Sequence, residues 1–437
     1  MLPIILLLSL VAAQQPGTNT PERHPSLPSS RCTVQGGCVP ANTSIVLDSN
    51  FRWLHNVGGY TNCMADGKFN TSICSSPEGC VTSCAVEGVD YAGYGIKTQA
   101  DSVTMNLFTV KEGKTQLASP RIYLFDEAEG KYANFQLLDR EFSFDVDMSK
   151  AGCGVNGALY FSEMDMAGDA GKGNTAGAKY GTGYCDAQCP KQNFIHGKAN
   201  LDQSLGACCS EMDIWEANSA ATAFTPHPCN ETGVYACKGE LCGDKNRLDS
   251  VCDRDGCDFN GYRNGAKSFY GKGADHTVDT TKPFTVVTQF YTKSGALTEI
   301  KRLYVQGGKV IPEATSTVKG IEGANSMTDG YCSTQKQLFG GGAKAPNAFA
   351  TQGGMKVMGE ALGRGMVLAM AIWHDAGGYM HWLDSTVPND SPPNALGAAR
   401  GPCPTTGGRP AQIQTEQPDA AVTFSKIRWG EIGSTYK

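Results

Sequence analysis

Eighteen cysteines in 437 residues constrain this chain more than any other feature, because an even number suggests that every one is paired. The compartment decides how they pair. The opening MLPIILLLSLVAAQQ is a short apolar run with small residues, Val11 and Ala13, at the minus-three and minus-one positions of a signal peptidase site. Residues 1–13 are therefore expected to be a cleaved signal peptide, since such a run is too short to span a bilayer. In an oxidising, extracellular setting the cysteines are expected to form up to nine disulfides, each contributing ~2–5 kcal/mol, with the connectivity left open. Zinc is the alternative. Cys80/Cys84, Cys185/Cys189 and Cys252/Cys257 lack paired CxxC spacing, and Cys208-Cys209 on a strand would send its sulfurs to opposite faces. No metal or other cofactor is expected.

Secretion agrees with four N-x-S/T sequons, at Asn42, Asn70, Asn230 and Asn389, expected on glycosylated surface loops. A net charge of −6 without a Lys/Arg block offers no footprint for nucleic acid or an anionic membrane. A neutral polymer fits such a surface.

The apolar pattern is that of strands. Phe142, Phe144, Val146 and Met148 alternate with Ser143, Asp145 and Asp147, and Val103, Met105 and Leu107 repeat the period. Further strands are predicted at 284–291, 299–306 (followed by a Gly307-Gly308 turn) and 422–429. The run 365–373 is apolar throughout, as in a strand covered on both faces. Helical periodicity is rare, with 355–362 the best instance. The fold class is all-β: an antiparallel two-sheet sandwich with long loops and a few short helices. Residues 14–437 read as one domain with no linker or appended Cys-rich module.

Within CCSEMDIWEAN, residues 208–218, three carboxylates fall within six residues: Glu211, Asp213 and Glu216. Read as a strand, Glu211 and Asp213 share a face, whereas Glu216 has the wrong parity and lies roughly 16 Å from Glu211. The three act together only if a bulge inserts a residue between them. On a concave sheet two Glu side chains then approach the ~5–5.5 Å separation of a retaining glycosidase. A calcium loop would carry Gly and Asn among its ligands, not Met212, Ile214 and Trp215. HExxH, GxSxG and phosphate-loop motifs are missing, and the seven histidines are scattered singly.

GACCSEMDIWEANS, preceded by AGAKYGTGYCDAQCP (176–190) and followed by TPHPC (225–229), resembles glycoside hydrolase family seven, the fungal cellulases. GALYFSEMD (157–165) and WLDS (382–385) extend the resemblance over about Gln14 to Lys437. It implies a concanavalin-like curved β-sandwich, or jelly roll, whose concave face binds cellulose and soluble β-1,4-glucans. It also implies a secreted, monomeric, retaining enzyme, with Glu211 as nucleophile, Asp213 as its hydrogen-bonded helper, Glu216 as acid/base and His227 beside the acid/base. Trp53, Trp373 and Trp382 resemble the family's sugar platforms, with Asn156, Tyr160, Asp186 and Gln188 as polar contacts. Arg247, Asp255, Arg263 and Arg400 match product-side positions.

Endo or exo action depends on roofing loops. The N-terminal segment, the short ANLDQSLGACC approach and MGEALGRGMVLAMAIW resemble endoglucanases; CKGELCGDKNRLDSVCDRDGCDFN and the 384–403 segment resemble cellobiohydrolases. The missing cover before residue 208 favours endo cleavage, with a reducing-end cellobiohydrolase as the alternative. A jelly-roll lectin would keep the aromatic platform and need no acid and nucleophile together.

Overall fold

The computed structural model describes residues 14–171, 173–392 and 394–436, so the expected signal peptide at 1–13 lies outside the described residues. Two large sheets stack face to face. The outer, ten-stranded sheet runs in the order Lys309–Pro312, Ala296–Gln306, Phe284–Lys293, Arg140–Asp147, Ala421–Glu431, Ser102–Asn106 and Ile96–Gln99. The inner, eight-stranded sheet runs Lys131–Tyr132, Arg121–Asp126, Met366–His374, Val155–Ser162, Glu211–Ala217 and Thr222–His227. Neighbours are antiparallel along both paths; the departure is Ser29–Thr33, which lies parallel to Ala421–Glu431.

The alternation read from the sequence is the packing of the sandwich. Phe142, Phe144, Val146 and Met148 are buried together with Val103, Met105 and Leu107, facing Leu159, Phe161 and Trp215 from the inner sheet. Met366–His374 is covered on both faces, as its unbroken apolar run requires: Met366, Leu368, Met370 and Ile372 enter this core, while Val367, Ala369 and Ala371 belong to a second cluster on the other face. The Gly307-Gly308 turn has both φ positive, 57° and 75°, which suits the twist of a two-residue hairpin. The predicted helix is Gly354–Arg364. Asp329–Phe339 is a second long helix that the sequence pattern did not suggest, since its residues are mostly polar; Thr328 caps it and the Cys257–Cys332 disulfide anchors it.

All eighteen cysteines pair, in nine disulfides, so a zinc-thiolate reading has no free ligands. The vicinal pair diverges as its parity demanded: Cys208 bonds Cys189 and Cys209 bonds Cys185. Three bridges, Cys189–Cys208, Cys229–Cys252 and Cys237–Cys242, pack into one small buried cluster with Ala187 and Val251.

Candidate active site

The strand expected over 208–218 is interrupted at Cys209-Ser210, and its central part is Glu211–Ala217. Its register breaks on both sides. Against Val155–Ser162, Phe161 pairs Met212 and Leu159 pairs Trp215; against Thr222–His227, Asp213 pairs Thr225 and Glu216 pairs Ala223. Each time three steps on this strand answer two on its neighbour, which is a β-bulge. Met212, Ile214 and Trp215 all enter the inter-sheet core, two of them consecutive, so Glu216 returns to the face that carries Glu211 and Asp213. The inserted residue is what collects the three acids.

Small residues flank the acids on that face. Ala158, Ala369 and Ala371 are contributed by the adjacent strands, and Ala223 by the edge strand. Larger groups border this floor. Asn156 donates from Nδ2 to Glu216 Oε1 (2.9 Å) and accepts the Ala217 N–H (3.1 Å), while on the next strand it pairs in register with Trp373. Trp373 and Trp382 lie with centroids 6.1 Å apart at 32°, and the Trp382 indole N–H donates to Asp375 (3.1 Å).

The disulfides deliver the partners of Glu211. Cys185–Cys209 and Cys189–Cys208 clamp residues 185–189 against the lead-in strand, where Asp186 forms a bridge with Cys208. From there the Ala187 N–H donates to Glu211 Oε2 (3.1 Å). Tyr184 donates to Asp186 Oδ2 (2.6 Å), and its hydroxyl lies 2.9 Å from that of Tyr160. On the other side Cys229–Cys252 holds the carbonyl of Asp253 where His227 Nδ1 donates to it (2.8 Å), directing Nε2 to Asp213 Oδ2 (3.0 Å). Gly256, at φ +64°, is required there, because a Cβ would lie 2.5 Å from the His227 ring.

Asp213, expected to serve Glu211 as a hydrogen-bonded helper, has His227 Nε2 as an ion-pair partner at 3.0 Å. Burial works against charge on His227, but the hydrogen bond and charge of Asp213 push it up to about 9. Burial, followed by the charges of Asp213 and Asp186, raises Glu211 well above the ordinary carboxylate range. Burial and Asp213 raise Glu216 to about 8, against the pull of His227. Asp186 is raised as well, by burial first. Glu211, Glu216 and Asp186, all raised by burial, thus share one buried floor with an imidazolium, and their titrations are linked.

The remaining candidates fall into three groups. Trp53 lines a hollow with Asn62, Gln192 and Asn193, its indole stacked on His55 at 4.0 Å and donating to Asn62 (2.7 Å). Arg247 and Asp255 form a half-exposed ion pair (2.7 Å); Arg247 also donates to Gln188 Oε1 (3.3 Å), and Gln188 donates to the Arg254 carbonyl (2.7 Å). Arg263 and Arg400 converge on Asp258, whose carboxyl is held down to about 2: burial opposes this, but the two guanidinium charges prevail. Asp258 and Tyr184 were not singled out from the sequence, although both stand inside the resembling segments. Asn42, Asn230 and Asn389 are exposed and Asn70 is half-buried.

A model described as glycosyl hydrolase family 7 matches residues 16–436. The chain is 50% identical over 437 residues to a probable endo-beta-1,4-glucanase celB of Aspergillus clavatus, covering 99% of this chain and 96% of that one. It is 48% identical over 440 residues to endo-beta-1,4-glucanase celB of Aspergillus oryzae, covering 100% and 98%. Among solved structures it is similar to a GH7 family cellobiohydrolase of Daphnia pulex (TM-score 0.91, 43% identity, covering 96% of this chain and 100% of that one). It is also similar to the Humicola insolens endocellulase EGI (TM-score 0.86, 42% identity, 97% and 100%).

Proposed function

The chain belongs to glycosyl hydrolase family 7, and from that premise we propose that it is a secreted, retaining β-1,4-glucanase that cuts internal bonds of cellulose. The observation that carries this reading is the bulge at Ile214, which sets two glutamates of one strand on a single floor. In the first step a Glu211 oxygen bonds to the anomeric carbon as the glycosidic C–O bond breaks, and Glu216 gives its proton to the departing oxygen. In the second step Glu216, now a carboxylate, takes a proton from water; the water oxygen bonds to the same carbon and releases Glu211. Two inversions give net retention.

Protonation follows from the shared floor. Glu216, raised to about 8, holds a proton at neutral pH. Glu211 must lose its own, and the positive charge developing on the sugar ring favours the anion while the Ala187 N–H receives it. Asp213 and His227 hold compensating charge beside it. Asp186, Tyr160 and Gln188 supply polar contacts to the chain on one side, and Arg247, Asp255, Arg263 and Arg400 on the product side. The same reading places the enzyme outside the cell as a monomer, with N-glycans on Asn42, Asn70, Asn230 and Asn389. Among the described residues no helix is long and apolar enough to cross a membrane.

Endo action is supported by the identity to the endo-beta-1,4-glucanases and by the approach to Glu211. That approach is a tight hairpin, Phe194–Ile195 with Lys198–Ala199, turned at His196 and Gly197 (φ 52° and 68°). The buried Asp258 cluster and the likeness to a cellobiohydrolase favour exo action as a second reading. Carboxymethylcellulose decides between them: viscosity is expected to fall steeply for few reducing ends formed. Slow viscosity loss with cellobiose as the main product from insoluble cellulose would reverse the assignment, and no hydrolysis of any aryl cellobioside would return the lectin reading.

Trp373 and Trp382 are expected to act in binding. Removing one stacked indole as Trp382→Ala costs about 1 kcal/mol, a rise in KM of ~5-fold with kcat little changed, read on soluble cello-oligosaccharides. An equal loss in kcat would place that ring at the reacting sugar instead.

A further inference from the structure

On the outer sheet, strand Ala296–Gln306 alternates inward-facing residues at Leu297, Ile300, Arg302 and Tyr304. Arg302 stands where the pattern calls for an apolar side chain, and it is 1% exposed. Burying a guanidinium is unfavourable unless its donors find acceptors. Its Nε donates to Thr288 Oγ1 (3.2 Å), and its Nη2 crosses the core to the carbonyl oxygen of Ile214. The guanidinium lies over the rings of Phe224 (4.6 Å), Trp215 (5.7 Å) and Tyr304 (5.9 Å). Tyr304 in turn donates to the buried Glu313 (3.0 Å).

Ile214 is the residue that neither neighbouring strand pairs: the registers pass from Met212 to Trp215 on one side and from Asp213 to Glu216 on the other. Its carbonyl faces the core, where an unmade hydrogen bond is costly. Without a donor the strand gains by expelling the extra residue, and a one-residue slip turns Glu216 into the apolar interior.

We propose that Arg302 is a positioning residue for Glu216: it satisfies the bulge carbonyl from behind and so holds the acid/base on the catalytic face, though it touches no substrate. This rests on the assignment of Glu216 as acid/base, and the test separates the two.

Arg302→Met is combined with Glu313→Gln, so that no buried carboxyl loses its counter-charge, and Arg302→Lys is made alongside. kcat/KM is measured on phenyl β-cellobioside, whose leaving group needs a proton, and on the 2,4-dinitrophenyl analogue, whose leaving group needs none. A displaced acid lowers the first on the order of 10²-fold and leaves the second nearly intact, with Arg302→Lys between wild type and the Met variant. A merely structural role lowers both alike by the fraction of misfolded protein. If the Met variant does not fold, Arg302→Lys alone is read by the same ratio. An unchanged ratio in every folded Arg302 variant, with Glu216→Gln strongly leaving-group dependent, overturns the role of Arg302 alone. A Glu216→Gln enzyme with no such dependence overturns the acid assignment, and this proposal with it.

Discussion

Glu211→Ala is expected to lower turnover of aryl β-cellobiosides on the order of 10⁴–10⁶-fold, with the thermal melt retained. The size follows from what is removed: without the carboxylate no covalent intermediate forms, and the residual rate is that of binding and proton donation alone. The small side chain also relieves crowding, because Glu211 is buried beside Asp213 and Asp186, whose charges raise it. Stereochemistry gives the sharper readout. Azide entering the vacated space attacks the anomeric carbon from the side of Glu211, in one inversion, and gives an α-glycosyl azide. A β-azide from this variant, or turnover within tenfold of the wild type, would assign the nucleophile elsewhere.

That much of the site was legible in the chain because strand parity is strict. Glu211 and Asp213 two apart, with Glu216 out of phase, left a bulge as the one way to gather them, and the bulge lies between Asp213 and Glu216. Alternating segments such as Phe142–Met148 were legible for the same reason, since one face had to be apolar all along. Long-range pairings were not. Which cysteine meets which depends on loops closing over tens of residues, as Cys153 with Cys403 does over 250. Nor does parity name a partner. Asp213 has two acids as sequence neighbours, yet bonds His227, brought across the sheet by the neighbouring strand. Arg302 is hidden for the opposite reason: on an alternating strand, an arginine between Ile300 and Tyr304 looks like an ordinary surface residue misplaced by one position. Its meaning appears only when the facing sheet presents an unpaired carbonyl.

Glu216→Gln carries the second large effect, about 10²–10⁴-fold in kcat/KM on substrates with poor leaving groups and far less on the 2,4-dinitrophenyl substrate. Here the nucleophile remains, so the glycosyl-enzyme forms and lingers; azide then attacks from the face opposite Glu211 and gives a β-azide, the reverse of the Glu211→Ala product. The pH behaviour follows from the same carboxyl. Burial, then the charge of Asp213, lift it from an ordinary 4.5 to about 8, so the basic limb of wild-type kcat/KM is expected to fall through that region. Linkage fixes the sign for stability. Between these values the unfolded chain binds fewer protons at this position than the folded one. The contribution is therefore complete below pH 4.5 and is lost as pH rises through about 8. Glutamine mimics the uncharged acid and has nothing to lose. The melting temperature of Glu216→Gln should accordingly gain on the wild type as pH is raised from 5 to 9, while His227, shared by both proteins, cancels in the comparison. A constant difference between the two melts across that range would mean that Glu216 is ionised in the fold, and an ionised carboxylate has no proton to give a departing sugar.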